Sequence, residues 1–209
     1  MNNDEDILIT STEPTEITPQ TNLQWNDSGK SFRGNNLLKG EDAVAYVDEK
    51  TYEHYAKELI KCSKDIVYFA NNYYHIISAD LGKHVIKTYV KQDELLRKMQ
   101  KHRKLVVLAS RQTFKTTTYC IFCLHTCCFN KDKTIVLVAN KEKTAKEVLE
   151  RIKLAYELLP KWLKPGVKNW SMTSVDFSNG CKIDICSTNA TAARGASANI
   201  LILDEFALV

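Results

Sequence analysis

The chain has 209 residues, of which 44% are hydrophobic, and this is enough to bury one substantial core. The 29 Lys and Arg residues against 25 Asp and Glu give a formal net charge of +4, which permits contact with nucleic acid without arguing for it. No apolar run reaches the roughly 18 to 20 residues that cross a bilayer, and the first residues are acidic and polar rather than signal-like. Composition therefore argues against a membrane-spanning or secreted protein, and we expect a soluble intracellular one.

The seven cysteines are an odd number, and four of them fall within the apolar stretch 119–129. A disulfide framework is therefore not expected. Cys120 and Cys123 have the spacing of a metal-binding pair, but one straight helix cannot wrap four ligands tetrahedrally around an ion. We interpret the cysteines as small core residues.

Polar residues, proline and glycine dominate residues 1–47, which predicts a flexible arm with little to fold around. Apolar residues at helical spacing then predict two short helices within 48–73 and a third at 92–99. Together these helices make a helical N-terminal segment, residues 48–103.

From residue 104 onward, predicted strands and helices alternate. An apolar run at 105–109 predicts a strand covered on both faces, as in a parallel sheet. A buried helix at 116–129 and a second strand at 134–139 follow. An amphipathic helix is predicted at 141–159.

A hairpin and a last strand complete the pattern. Alternating apolar residues within 175–185 flank Asn179 and Gly180, a dipeptide that tolerates the positive φ of a tight turn. Residues 200–203 form a fully apolar strand. This order predicts an α/β fold in which helices flank a mostly parallel sheet, over residues 104–209.

The join between the strand at 105–109 and the next helix has the parts of a phosphate-binding loop. It reads Ser110-Arg111-Gln112-Thr113-Phe114-Lys115-Thr116-Thr117. Backbone N–H groups at a helix N-terminus favour a phosphate, Lys115 can reach the outer phosphates, and the Thr116 hydroxyl can ligate Mg²⁺.

The loop departs from the usual GxxxxGK[ST] spelling, because Ala109 and Phe114 stand where the two glycines would be. Glycine before the lysine often takes a positive φ, and we expect a bulky residue there to cost about 1 to 2 kcal/mol. The loop alone leaves two interpretations open, a nucleotide site and an ordinary strand-to-helix turn with a solvated lysine.

Two carboxylates, Asp204 and Glu205, follow the strand at 200–203 directly. The carboxyl edge of an open α/β sheet is where ligands bind. An Asp there can hold Mg²⁺, and a neighbouring Glu can orient and deprotonate the water that attacks the γ-phosphate. Either carboxylate alone also fits a helix cap or a solvated strand end, but the combination with the loop favours a nucleotide site.

The string SRQTFKTT resembles the phosphate loop of the large terminase subunits of tailed phages, which is characteristically SRQ-x-GK-TT. The similarity extends upstream to residues 65–73 and to Gln92. Downstream it includes 194–195 and 202–207, so that it covers about residues 50–209.

This resemblance implies a P-loop NTPase fold of the RecA-like (ASCE) type and a motor that hydrolyses ATP to drive double-stranded DNA into an empty capsid. ATP and Mg²⁺ are the implied cofactors. Double-stranded DNA, the portal protein and the small terminase subunit are the implied partners. We expect a homo-oligomeric ring on the portal when the protein is full-length, a location in the host cytoplasm, and no membrane contact.

Residue roles are also implied by the resemblance. Glu205 would be the catalytic base, and Arg111 would bring a positive charge to the γ-phosphate. Thr116 and Asp204 would hold Mg²⁺, and Gln92 would recognise adenine. The other nucleotide-binding positions are Ser110, Gln112, Thr113, Phe114, Lys115 and Thr117.

Two departures limit what the resemblance implies. Phe114 replaces the glycine of the family, which affects catalysis if the loop is strained. The sequence also ends at Val209, before the Thr-rich coupling strand and the nuclease domain of family members, so we expect a C-terminally incomplete fold with an exposed sheet edge that cannot by itself translocate or cut DNA. Two alternatives stay open, a helicase-like P-loop ATPase and a degenerate, non-hydrolysing binding module.

Overall fold

The computed structural model describes residues 49–110, 114–187 and 198–204. The predicted arm, residues 1–47, lies outside the described residues.

The N-terminal part of the described chain contains three helices and a short hairpin. In chain order these are α1 (Glu49–Lys64), α2 (Ile66–Tyr73), β1 (His75–Ser78), β2 (Gly82–Val85) and α3 (Val90–Lys101). Asp65 begins α2 as its N-cap, because its carboxylate accepts hydrogen bonds from the backbone N–H groups of Val67 and Tyr68. The three predicted helices are confirmed. The hairpin was not predicted, since its two strands are only four residues long and mostly half-exposed or exposed.

The rest of the described chain alternates helices and strands. The elements are α4 (Lys115–Phe129), β3 (Thr134–Ala139), α5 (Glu142–Leu158), a 3-10 turn (Lys161–Leu163), β4 (Val167–Trp170), β5 (Ser174–Phe177), β6 (Lys182–Ser187) and β7 (Ile200–Leu203). All the helices and strands predicted after residue 110 are present. Only β4 was missed, because it adds just four residues, two of them exposed polar ones.

Five strands form one sheet in the order β4-β5-β6-β3-β7. β3 lies parallel to both β6 and β7, whereas β4–β5 and β5–β6 are antiparallel. The α/β prediction is confirmed, but the sheet is mixed rather than mostly parallel. The reason is the tight turn at 178–180, which returns the chain directly from β5 to β6 and makes that pair antiparallel.

The prediction of a strand at 105–109 is wrong. These residues have no strand assignment and join neither described sheet. Val106 and Leu108 are 61% and 65% exposed. The apolar run has the right composition, but a strand also needs a hydrogen-bonded neighbour, and none of the seven described strands pairs with it.

α4 lies at the centre of the packed core. Every residue from Thr118 to Phe129 is buried, and the helix contacts α2, α3 and α5. Its four cysteines are at most 2% exposed, and burial raises the pKa of the Cys120 thiol to about 12. Cys62 and Cys181 are buried as well, so the prediction of core cysteines is confirmed for six of the seven, whereas Cys186 is half-buried.

The turn of the β5–β6 hairpin fixes the C-terminal end of α4. The Asn179 side-chain amide donates to the carbonyl oxygens of Cys127 at 2.7 Å and Asn130 at 2.9 Å. Gly180 in the same turn has φ +82°, and a Cβ atom there would lie 2.0 Å from Oδ1 of Asp132. The turn thus needs glycine for both conformation and space, and it anchors the helix whose other end carries the candidate site.

Candidate functional site

The N-terminus of α4 is where the predicted phosphate loop meets the helix. Phe114 occupies the N-cap position with φ −61° and ψ −3°, and its carbonyl oxygen accepts from the backbone N–H of Thr118 at 3.0 Å and from its Oγ1 at 2.8 Å. This is the ordinary right-handed helical region, which any residue adopts. The expected backbone strain at Phe114 is therefore absent, and that expectation was wrong.

Lys115, the first residue of α4, folds back toward the segment before the loop. Its ammonium Nζ donates to the carbonyl oxygens of Ala109 at 2.7 Å and Ser110 at 2.9 Å. The lysine therefore ties the start of α4 to Ala109 and Ser110. Its positive charge belongs to the first residue of a largely buried helix, and a helix N-terminus with a positive charge suits an anion.

Asp204 follows the end of β7 and faces α4. Its backbone N–H donates to the carbonyl oxygen of Val138 at 2.8 Å, which fixes the end of the strand against β3. Its Oδ2 accepts a hydrogen bond from the hydroxyl of Tyr119 at 2.6 Å. The carboxylate predicted to hold a metal is thus tied to the second turn of α4.

Tyr119 connects the two halves of the site. Burial raises its pKa far above the usual range, the hydrogen bond to Asp204 acts in the same direction, and a hydrogen bond with the Thr116 side chain acts against them. The hydroxyl consequently stays protonated at physiological pH. The hydroxyl bond joins Asp204 to the N-terminal turns of α4, and Thr116 lies three residues before Tyr119 on the same helix.

Residues 106–209 match the family model of the terminase large subunit, T4likevirus-type, N-terminal. The chain belongs to this terminase large-subunit family. Its role is in phage DNA packaging. The matched range begins within residues 105–109, before the loop. It includes α4 and the five-stranded sheet, whose strand β7 precedes Asp204.

Gln92 of this terminase contacts the N-terminal part of α4 and is 2% exposed. Its Oε1 accepts from the backbone N–H of Tyr89 at 3.1 Å, which supports the start of α3. Its Nε2 donates to Oγ1 of Thr118 at 3.4 Å. The residue predicted to contact adenine therefore also joins α3 to α4.

Several predicted site residues lie outside the described residues, namely Arg111, Gln112, Thr113 and Glu205. Among those described, Ser110 is exposed, while Thr117 is half-buried in the first turn of α4. The described part of the predicted site thus comprises Gln92, Ser110, Phe114, Lys115, Thr116, Thr117 and Asp204.

The described oxygen ligands fit Mg²⁺ better than a softer metal. Thr116 offers a hydroxyl in the first turn of α4, and Asp204 offers a carboxylate that is bonded to the second turn. Mg²⁺ in nucleotide sites typically takes one or two protein oxygens together with phosphates and water. No cluster of three or more His, Cys, Asp or Glu that could hold a metal occurs in residues 49–110, 114–187 and 198–204. A zinc-type site is therefore not built by this part of the chain.

Sequence reasoning missed Tyr119. The signal that could have found it is its spacing, because residues three and four apart on a helix share a face, and Tyr119 stands at those distances from Thr116 and Lys115. A tyrosine within an apolar helix also needs a partner for its hydroxyl.

No helix in the described ranges has the length and apolarity needed to span a membrane.

Proposed function

We propose that this chain is the ATP-binding and ATP-hydrolysing motor portion of a viral terminase large subunit that drives double-stranded DNA packaging into the procapsid. The observation that carries the proposal is the approach of Asp204 to the N-terminal turns of α4, through the Tyr119 hydroxyl. An anion-favouring helix end and a metal-binding carboxylate then face one another, as phosphoryl transfer requires.

Each residue has a defined task in this proposal. Lys115 would leave the carbonyl oxygens of Ala109 and Ser110 and bind the outer phosphates, while the N–H groups at the start of α4 hold the remaining oxygens. Thr116 and Asp204 would hold Mg²⁺, which neutralises charge on the phosphate oxygens.

Hydrolysis itself is assigned to two residues beyond the described part of the site. Glu205 directly follows Asp204, so its carboxylate would orient the attacking water and accept its proton. Arg111 would stabilise the negative charge that develops on the γ-phosphate. Ser110, Gln112, Thr113, Phe114 and Thr117 would complete the loop around the phosphates, and Gln92 would contact adenine.

The partners follow from the same proposal. Double-stranded DNA is the substrate that the motor moves, and the portal protein and the small terminase subunit are the proteins with which it assembles. We place this work in the host cytoplasm, with a homo-oligomeric ring forming on the portal.

Titration with Mg²⁺-ATP tests the nucleotide site. We expect Lys115→Ala to abolish binding, because it removes the charge that faces the phosphates. Lys57→Ala is the matched control: its ammonium pairs with Glu53 on the exposed face of α1, and its loss should leave the affinity unchanged. Absence of binding by the unaltered chain would contradict the proposal and favour a non-hydrolysing module.

The degenerate module was suggested by strain at Phe114, and the observed φ of −61° removes that reason. Phe114→Gly should therefore change ATP affinity by less than about threefold, because there is no strained backbone to release. A large gain in affinity would show that the loop takes another conformation when nucleotide binds.

The catalytic base is tested separately from binding. Glu205→Gln should retain ATP binding and lose turnover, since the amide cannot accept the proton of the attacking water. If turnover persists in this variant, another residue is the base.

A further inference from the structure

Tyr119, whose hydroxyl bonds the predicted metal-binding residue Asp204, has no part in the family pattern described above. We propose that Tyr119 is a positioning residue for Asp204, and that its hydroxyl holds the carboxylate toward Thr116 so that both oxygens reach one Mg²⁺ ion. This inference rests on the proposed function, because the ion is the one that accompanies bound ATP.

Tyr119 is well placed to fix a carboxylate. It is 7% exposed and belongs to a helix that is buried on all sides, so its ring has little freedom. The 2.6 Å hydrogen bond to Asp204 is short, as expected for a hydroxyl that donates to an ionised acceptor. Asp204 itself follows the last residue of a strand, where its backbone is held by β3 and only its side-chain torsions remain to be set.

The bond leaves the carboxylate able to bind a metal. An ionised carboxylate has two oxygens and about four lone-pair positions, and the Tyr119 hydroxyl uses one of them on Oδ2. Thr116 lies three residues before Tyr119, on the same face of α4. The bond therefore restricts the rotamers of Asp204 while the remaining lone pairs stay available to a metal ion.

A simpler role for Tyr119 is to satisfy its own buried hydroxyl, which any acceptor would do. Tyr156 shows that role in the same protein, because its hydroxyl donates to the backbone carbonyl of Pro165 at 2.6 Å. The two tyrosines differ in their acceptors, because Tyr119 bonds the carboxylate of Asp204 and Tyr156 bonds a backbone carbonyl. The pair therefore provides a matched comparison between a positioning bond and a purely structural one.

The experiment uses Mn²⁺ as a paramagnetic probe in place of Mg²⁺, together with a non-hydrolysable ATP analogue. Free Mn²⁺ is counted by electron paramagnetic resonance for the unaltered chain, Tyr119→Phe and Tyr156→Phe. We expect the dissociation constant of Mn²⁺ to rise about tenfold in Tyr119→Phe, because residues that orient a metal ligand typically contribute 10- to 100-fold to metal affinity. It should not change in Tyr156→Phe.

Two further measurements distinguish a loss of Asp204 positioning from a loss of protein stability. Binding of the analogue in excess EDTA should be equal in all three proteins, because no metal is present for Asp204 to hold. Both variants should keep a cooperative thermal unfolding transition, with a modest loss of stability in each, since each removes one hydroxyl hydrogen bond.

The outcomes distinguish the inference from the proposal on which it rests. If the unaltered chain binds Mn²⁺ and the analogue but Tyr119→Phe keeps the same Mn²⁺ affinity, the positioning role is wrong and the nucleotide site stands. If both variants weaken Mn²⁺ equally, the effect is structural and the inference also fails. If the unaltered chain binds neither ligand, the proposed function itself is overturned.

Discussion

Residues 135–139 and residues 105–109 have almost the same apolar composition and opposite environments. The first set forms most of β3, lies between β6 and β7, and is at most 7% exposed. The second set forms no strand, and two of its members are more than 60% exposed. An apolar run therefore identifies residues that are able to enter a sheet, and pairing with neighbouring strands determines whether they do.

The buried core around α4, unlike the exposed residues 105–109, should respond to pH. His125 on α4 is 1% exposed, contacts the rings of Phe69 and Phe129, and donates from Nε2 to the carbonyl oxygen of Cys62 at 2.9 Å. Burial lowers its pKa to about 4. Between pH 6.5 and 4 the unfolded chain binds a proton that the folded chain does not, so the free energy of unfolding should fall by about 3 kcal/mol as pH decreases through that window.

Urea unfolding at pH 7 and pH 4 measures this effect, with His125→Gln as the comparison. Glutamine keeps an N–H donor near the Cys62 carbonyl but does not titrate, so the variant should lose that share of the pH dependence. Equal pH dependence in both proteins would mean that His125 is not the responsible group.

The next largest difference in stability is expected when a valine is replaced by alanine in each of the two apolar runs. Val136 is 3% exposed in β3, whereas Val106 is 61% exposed. Val136→Ala should lower the free energy of unfolding by about 2 kcal/mol, because it removes buried methyl groups and leaves a cavity. Val106→Ala should change it by less than about 0.5 kcal/mol. Equal losses in denaturant unfolding would show that residues 105–109 are packed in solution.

A smaller loss of stability tests whether the β5–β6 turn helps to hold β6 beside β3. Gly180→Ala should cost about 1 to 2 kcal/mol, because an L-residue is strained at φ +82° and its Cβ would displace the Asp132 carboxylate. Gly82→Ala is the matched control, since Gly82 has φ +63° but nothing lies within 4 Å of the added Cβ. Thermal unfolding should show the greater loss in Gly180→Ala, and the reverse order would contradict the role of the turn.

Much of this fold can be predicted from local patterns in the sequence. Several elements depend on residues close in the chain. They are the periodic helices α1, α2, α3 and α5, the apolar helix α4, the hairpin around Asn179 and Gly180, and the apolar strands β3 and β7. The unpaired state of residues 105–109 and the antiparallel addition of β4 depend on partners far away in the chain, which no local pattern encodes.

The candidate site also has a part that local sequence patterns predict and a part that they do not. Lys115, Thr116 and Asp204 could be selected from residue type and from position at the ends of elements. The helical backbone of Phe114 and the bond between Tyr119 and Asp204 could not, because the first depends on how the loop closes and the second joins residues 85 positions apart.

β7 is at the edge of the described sheet, with β3 as its neighbour on one side. In such a strand alternate amide protons point away from the ladder, so we expect deuterium to enter β7 at every second residue while β3 stays protected throughout. The Asp204 amide, which follows β7 and donates to the Val138 carbonyl, should exchange slowly, so its uptake measures how firmly the backbone that carries this carboxylate is held against β3.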